Sequence, residues 1–142
     1  MNINMLLCIA TSAFLVFSVL VANQFVSSQP ENTDPSTNSF KVTSYAEAAR
    51  QLLNQSKIEY HKGNTTGAEE LAIRAYLDNF EYVEAPLEQK GQQKLKEEIE
   101  IMMRDDLRVL IKEKVSAQEL NNHVNVTDGM LREAIDILNN PN

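Results

Sequence analysis

The chain has little of what enzymes and disulfide-stabilised domains are built from. Its 142 residues include one cysteine, two histidines, four glycines and no tryptophan. The cysteine, Cys8, lies in an apolar run, so the rest of the chain has no thiol for a disulfide or a thiolate metal site. The glycines do not cluster into a phosphate-binding loop, and His61 and His123 lie far apart. Because no nucleophile–base pair is evident either, we expect that the protein is not an enzyme.

Positive charge is also scarce. The 13 Lys and Arg residues face 20 Asp and Glu residues, which gives a net charge of −7 and a pI of about 4.8. A nucleic-acid-binding protein normally carries a basic face, so we expect no nucleic-acid partner. The acidity fits a soluble domain, a cation-binding surface or a basic partner.

An uncharged apolar run occupies the N-terminus from Met5 to Ala22. About twenty apolar residues span a bilayer as a helix, and Phe25 and Val26 extend this run. Because no Lys or Arg precedes Lys41, the positive start of a secretory signal peptide is missing. We expect residues 1–26 to anchor the chain in the cell membrane through residues 5–22 as a single span, with the rest outside the cytoplasm. The alternative is a signal segment that is cleaved before secretion.

Residues 27–43 have the composition of a linker. Pro30 and Pro35 stand there among Ser, Thr, Asn and Gln, with few residues that could be buried. Such a segment cannot offset its ordering entropy by burying apolar surface. The sequence therefore predicts a disordered tether over 27–43 and a helical domain over 44–142.

Four segments in that domain place apolar residues at helical spacing. They run from Ser44 to Gly63, from Thr66 to Pro86, from Glu88 to about Lys114, and from Ser116 to Leu138. Capping-box spacing occurs at Ser44–Glu47, Thr66–Glu69 and Ser116–Glu119. Gly63 stands where the first helix should end, and Pro86 stands where the second should end. Short turns favour antiparallel neighbours, so we predict an all-α fold, an antiparallel up-down four-helix bundle.

The third predicted helix contains one acidic residue within its apolar stripe. Asp106 falls between Met102 and Leu110, and a buried carboxylate needs a partner or a raised pKa. We expect Asp106 to be buried and to pair across the bundle, for example with Arg74.

Two pairs of glutamates stand three residues apart on neighbouring predicted helices, Glu81 with Glu84 and Glu97 with Glu100. If the turn between the helices centres near residues 86–90, an antiparallel arrangement brings Glu81 and Glu97 to the same height. Carboxylate oxygens are the ligands that hard cations such as Fe³⁺, Ca²⁺ and Mg²⁺ prefer. These four residues are the candidate metal ligands, and a solvated acidic surface is the alternative.

The stretches AYLDNFEYVEAPL at 75–87 and IEIMMRDDLRVLI at 99–111 resemble the helical extracytoplasmic domain associated with high-affinity iron permeases. The resemblance extends over residues 75–138. The matching positions are Phe80, Glu81, Glu84, Ile99, Glu100, Leu107 and Arg108. The resemblance implies that the chain is an accessory domain beside a permease, with iron as the cation. Because the chain has only one apolar segment, we do not expect it to be the permease itself.

Two functional hypotheses follow. In the first, the chain is a membrane-anchored extracytoplasmic binding module that presents carboxylates to iron or another hard cation beside a membrane transporter. In the second, it is a structural or protein-interaction domain whose helices dock a partner without a metal.

Overall fold

The structure is a computed structural model that describes residues 35–140, with side chains from residue 38 onward. Within that range the backbone is helical apart from short turns and has no β-strand, so the predicted all-helical class is confirmed. The helices are α1 (Pro35–His61), α2 (Thr65–Ala75), α3 (Glu81–Gln89), α4 (Gln93–Glu100), α5 (Leu107–Glu113) and α6 (Ala117–Asn139). Two π-helical segments, π1 (Tyr76–Phe80) and π2 (Ile101–Asp106), join α2 to α3 and α4 to α5. The described residues therefore form four continuous helical runs.

The first helix begins nine residues before the predicted start of the domain. Pro35 suits the first turn of a helix because it has no N–H to pair there. Val42 and Thr43 are buried, and the Ser39 hydroxyl donates to the carbonyl of Leu138 at 2.8 Å. The prediction of a disordered linker is thus wrong for residues 35–43. The predicted anchor (1–26) and the rest of the linker (27–34) lie outside the described residues.

Two of the three predicted capping boxes are wrong. The Ser44 hydroxyl lies inside α1 and donates to the carbonyl of Lys41 at 2.6 Å. The second helix is capped by Asn64 rather than Thr66, since the Asn64 side chain accepts from the N–H of Gly67 at 3.0 Å. For the third box the Ser116 cap is confirmed, because the Ser116 hydroxyl accepts from the N–H of Glu119 at 3.2 Å.

Glycine ends α1 as predicted and also ends α3. Gly63 has φ +80° and lets the N–H of Asn64 reach the carbonyl of Glu59 at 3.0 Å. Gly91 has φ +73° and ends α3 in the same left-handed conformation. Pro86 was predicted to stop the second helix, yet α3 continues to Gln89. A proline lacks an N–H but keeps its carbonyl as an acceptor, and the last turn is closed by the N–H of Lys90, which donates to the carbonyls of residues 86 and 87.

The core is formed by one apolar face from each helical run. Helix α1 packs against α2 and α6, while α6 also contacts α4 and α5. Alanines at the contact let α1 and α2 approach closely, and the buried Ser56 hydroxyl donates to the carbonyl of Ala68 at 2.7 Å. The sequence places eight residues of α6 at helical spacing, beginning with Ala117, and this predicted stripe is buried at every position except Ala117: Leu120, Val124, Thr127, Leu131, Ala134, Ile135 and Leu138.

At each π segment a side chain donates to a backbone carbonyl in or just before the segment. The buried Asn79 amide donates to the carbonyl of Arg74 at 3.0 Å. His123 of α6 lies 2.8 Å from the carbonyl of Met102, and because a carbonyl only accepts, Nε2 of His123 carries the proton. A π turn contains more residues than an α turn, so it rotates the following side chains about the helix axis.

That rotation explains why the prediction for Asp106 is wrong. Met103, Leu107 and Ile111 are buried, whereas Asp106 at the end of π2 is exposed. Its suggested partner, Arg74, instead pairs with Asp78 at 3.4 Å. The carboxylate of Asp106 therefore needs no partner within the core.

Candidate functional site

The four predicted metal ligands lie in two different environments. Glu81 at the start of α3 and Glu97 on α4 are exposed, and Glu97 accepts a hydrogen bond from Gln93. Glu84 and Glu100 are partly buried. Among residues 35–140 no three Asp, Glu, His or Cys side chains are grouped so that they could hold a metal ion. The four-carboxylate metal site remains a prediction.

Glu84 is paired with a buried tyrosine. Tyr76, the first residue of π1, is 7% exposed, and its hydroxyl donates to Oε1 of Glu84 at 3.1 Å. Burial raises the pKa of Glu84, and the negative charges of Glu100 and Glu81 add to the rise against the opposing effects of Tyr76 and Lys96. Burial and the two neighbouring carboxylates raise the pKa of Tyr76 to about 12. Tyr76 is therefore a neutral hydrogen-bond donor at physiological pH.

Lys96 of α4 has a largely buried side chain, and its ammonium pairs with two carboxylates. The residue is 9% exposed. Its ammonium lies 3.0 Å from Oε1 of Glu88 and 3.7 Å from Oε2 of Glu100. The hydrogen bond with Glu88 raises the pKa of Lys96 despite the opposing effect of burial. Since Glu88 belongs to α3, this lysine links α3 to α4 through charge.

Glu100 has a second cationic partner within π2. Arg104 pairs with Glu100 through Nη1 and with Asp105 through Nη2, the latter at 3.0 Å. Arg104 also lies near the Tyr76 hydroxyl and partly offsets the rise in the pKa of that residue. Both π segments thus contribute a side chain to the same group of polar residues.

We call this group the carboxylate network, and its members are Tyr76, Glu84, Glu88, Lys96, Glu100 and Arg104. It has three carboxylates and two cations, so one negative charge is in excess. Within the described part of the chain, no Lys or Arg nitrogen lies within 4.0 Å of Glu84, whereas Glu88 and Glu100 each have such a partner. The excess charge therefore resides at the partly buried Glu84.

Four members of this network were not predicted from the sequence: Tyr76, Glu88, Lys96 and Arg104. Lys96 and Arg104 each stand four residues from the predicted Glu100, the spacing that brings charges together on a helix, and this signal was present in the sequence. Tyr76 and Glu84 are eight residues apart, on opposite sides of the π1–α3 junction. No regular helical period predicts that contact, since it depends on π1.

A second charged cluster joins α1 to α6. Nε of Arg50 donates to Oδ1 of Asp128 at 2.7 Å, and Arg50 also pairs with Glu47 at 2.8 Å. Burial tends to raise the pKa of Asp128, but the hydrogen bonds and charges of Arg50 and Arg132 hold it below its usual value. The charges here are matched, so the cluster is a structural link between two helices.

Comparisons with protein-family models, curated proteins and solved structures found no match for this chain. None of the helices within residues 35–140 is both long enough and apolar enough to cross a membrane.

Proposed function

We propose that the chain is a membrane-anchored, extracytoplasmic helical module that binds a hard cation, with iron as the expected ion, beside a membrane permease. The observation that carries this proposal is Glu84, a partly buried carboxylate without a cationic partner within 4.0 Å among the described residues. Its pKa is raised by burial and by Glu100 and Glu81. A bound cation would relieve that repulsion.

The chemistry of the neighbouring groups supports a hard ion. Glu84, Glu100 and the more exposed Glu81 offer carboxylate oxygens, and Tyr76 offers a phenolic oxygen 3.1 Å from Glu84. Oxygen ligands suit Fe³⁺, Ca²⁺ and Mg²⁺ better than they suit soft metals. Glu81, Glu84 and Glu100 are also the carboxylates through which the sequence resembles the iron-permease-associated domain.

We further propose that the four helical runs form an up-down antiparallel bundle. Each connection between them is a turn of a few residues, at 62–64, 90–92 and 114–116. Connections of this length favour antiparallel neighbours. In that arrangement the carboxylate network lies on the hairpin of the second and third runs, away from the contact between α1 and α6.

Cation binding can be tested by calorimetric titration of the full chain, kept in mild detergent, with Fe³⁺ supplied as a weak chelate. We expect wild type to bind and Glu84→Gln to lose most of the binding heat. Glu98→Gln is the matched control, because Glu98 is an exposed carboxylate of α4 paired with Lys94 at 3.6 Å. Equal binding by wild type and Glu84→Gln, or no binding by either, would overturn the cation proposal.

Membrane anchoring needs a separate test, since it concerns residues 1–26. We expect the full chain to remain with the membrane fraction after an alkaline carbonate wash. A shortened, soluble product in place of the full chain would instead indicate a cleaved signal.

The second candidate function is partner docking without a metal. Several large apolar side chains are exposed, including Phe40 at 76% and Tyr82 at 55%. Tyr82 stacks on Tyr45 with ring centroids 4.6 Å apart, so part of this surface is held in a fixed geometry. If the titration overturns the cation proposal, partner docking becomes the better explanation.

A further inference from the structure

The chain carries the N-x-S/T pattern of an N-linked glycan acceptor at Asn54–Ser56, Asn64–Thr66 and Asn125–Thr127. The pattern has two working parts. The amide nitrogen of the asparagine receives the sugar, and the transferase reads the hydroxyl two residues later. A folded chain is therefore an acceptor only where one enzyme surface reaches both groups, and the structure places the three patterns in different environments.

Two of the patterns lie inside long helices, Asn54–Ser56 in α1 and Asn125–Thr127 in α6. Residues two apart on an α-helix point to opposite sides. Both asparagines are accordingly exposed, whereas Ser56 is 0% and Thr127 is 1% exposed. The two hydroxyls already donate to backbone carbonyls, at 2.7 and 3.0 Å. A transferase that meets the folded chain cannot contact the amide and the hydroxyl together at either place.

The pattern at Asn64–Thr66 lies instead where the turn after α1 meets the start of α2. Asn64 stands outside the helix, with φ −84° and ψ 73°. Asn64 and Thr66 are both exposed. Because Asn64 lacks helical geometry, its amide and the Thr66 hydroxyl are not forced to opposite sides. This is the one pattern in the described part of the chain that presents both working groups to solvent.

The cap of α2 is compatible with a sugar on Asn64. Oδ1 of Asn64 accepts from the N–H of Gly67 at 3.0 Å, and Nδ2 donates to Oε2 of Glu59 at 2.8 Å. A sugar replaces one of the two hydrogens on Nδ2, which leaves the other hydrogen to donate and Oδ1 to cap. An added Cβ at Gly67 would collide with the Asn64 side chain, so this glycine leaves the space that the amide occupies.

We propose that Asn64 is the acceptor of an N-linked glycan, and that the fold withholds Asn54 and Asn125. The donor is an oligosaccharide carried on a lipid phosphate. A bond forms between Nδ2 and the anomeric carbon of the first sugar, and the bond from that carbon to the phosphate oxygen breaks. Nδ2 gives up one proton, and the lipid phosphate leaves with the bonding electrons. This inference rests on the extracytoplasmic placement in the proposed function, where such transfer takes place, and not on its cation site.

The test is peptide mass spectrometry of the full chain, purified from the membranes of the cells that make it. Trypsin cuts after Lys and Arg, so the three patterns fall in separate peptides, 51–57, 63–74 and 115–132. We expect the glycan mass on peptide 63–74, with 51–57 and 115–132 unmodified. An unmodified 63–74 peptide would overturn the inference. Equal occupancy of all three peptides would overturn the selection by the fold.

Two neighbouring threonines provide a matched pair of variants, produced in the same cells. Thr66→Ala removes the hydroxyl that the transferase reads but leaves Asn64 to cap α2, so the glycan should be lost. Thr65→Ala removes the hydroxyl one residue earlier, at the position that accepts any residue except proline, and should keep the glycan. Thr66→Ser should also keep it, and circular dichroism checks the helix content of each protein. A glycan that survives Thr66→Ala would contradict the assignment.

Protease added to wall-free cells separates this inference from the placement on which it rests. A helical domain outside the cytoplasm is digested, whereas one inside is spared. If the domain is digested and peptide 63–74 is unmodified, the glycan inference alone fails. If the domain is spared and unmodified, the extracytoplasmic placement fails with it.

Discussion

Helices α1 and α6 run for 27 and 23 residues without a break, whereas the other two helical runs change to π geometry along their length. The unbroken helices are joined by apolar packing and by the matched Arg50–Asp128 pair. The π-containing runs instead hold the carboxylate network, with one negative charge in excess. Regular α geometry aligns side chains for packing, while each π turn moves a side chain to a position that the regular period does not reach. The unbroken helices therefore carry matched charges, whereas the excess charge lies on the runs that contain π turns.

The largest expected effect is the loss of a buried leucine from an unbroken helix. Leu131 of α6 is 0% exposed, so Leu131→Ala should lower the free energy of unfolding by about 2–5 kcal/mol. Leu107, which follows π2, is 1% exposed, and Leu107→Ala should fall at the lower end of that range because irregular backbone relaxes more readily. Denaturant unfolding of both variants checks this, with Val126→Ala as an exposed control that should change stability by less than about 0.5 kcal/mol. If Leu107→Ala lowers the free energy of unfolding more than Leu131→Ala does, the runs that contain π turns contribute more to stability than the unbroken helices.

The unbroken half was largely predictable from the sequence. The α6 stripe follows a period near 3.6, its Ser116 cap has the expected spacing, and all but one of its predicted positions are buried. The start of α1 was missed because residues 35–43 are rich in polar side chains, and the contacts that order them come from α6 through Ser39 and Leu138. Such long-range contacts leave no local pattern.

The π-containing half was predictable only in part. Glu84 and Glu100 were identified from their spacing, but Asp106 was misplaced because π2 interrupts the period on which the prediction relied. One contact at that interruption comes from outside the helix, since His123 of α6 donates to the carbonyl of Met102. The prediction that Pro86 ends the second helix was wrong because the helical run ends at Gly91 rather than at the proline. The network needs two π segments together, and neither has a local signature.

The next expected effect concerns the charged link of the unbroken half. Asp128→Asn removes the acceptor charge from Arg50, whose side chain is 18% exposed, and should cost about 1–3 kcal/mol at neutral pH. The pKa of Asp128 is held below its usual 3.8, so its contribution is present above that pH and is lost as the pH falls through the folded-state pKa. Unfolding curves should therefore show wild type and Asp128→Asn converging in acid. A difference that is independent of pH would show that the charge of Asp128 does not stabilise the contact.

A smaller effect is expected at the end of the second π-containing run. Lys114 is the one non-glycine residue of the described range with positive φ, +53°, and this conformation is unfavourable for a residue with Cβ. Lys114→Gly should raise the free energy of unfolding by about 0.5–1 kcal/mol, after allowing for the greater freedom of glycine in the unfolded chain. Gly63→Ala is the opposite control in the unbroken half, because Gly63 has φ +80° and nothing within 4 Å of an added Cβ. Gly63→Ala should lower the free energy of unfolding by a similar amount. If both substitutions change the free energy of unfolding in the same direction, backbone strain is excluded as the cause.

The smallest expected effect tests whether the excess charge of the network costs stability. Glu84→Gln keeps an oxygen to accept the Tyr76 hydroxyl but removes the negative charge, so the cation-free chain should gain about 0.5 kcal/mol at pH 7. The folded-state pKa of Glu84 lies above its usual 4.5, which means that the folded state holds the proton more tightly and that stability falls as the pH rises through this interval. The gain should be full above the folded-state pKa and should vanish below 4.5. Denaturant unfolding of wild type and Glu84→Gln across this pH range measures the gain. If Glu84→Gln is instead less stable than wild type at pH 7, then Glu84 is compensated within the network and no cation is needed to balance it.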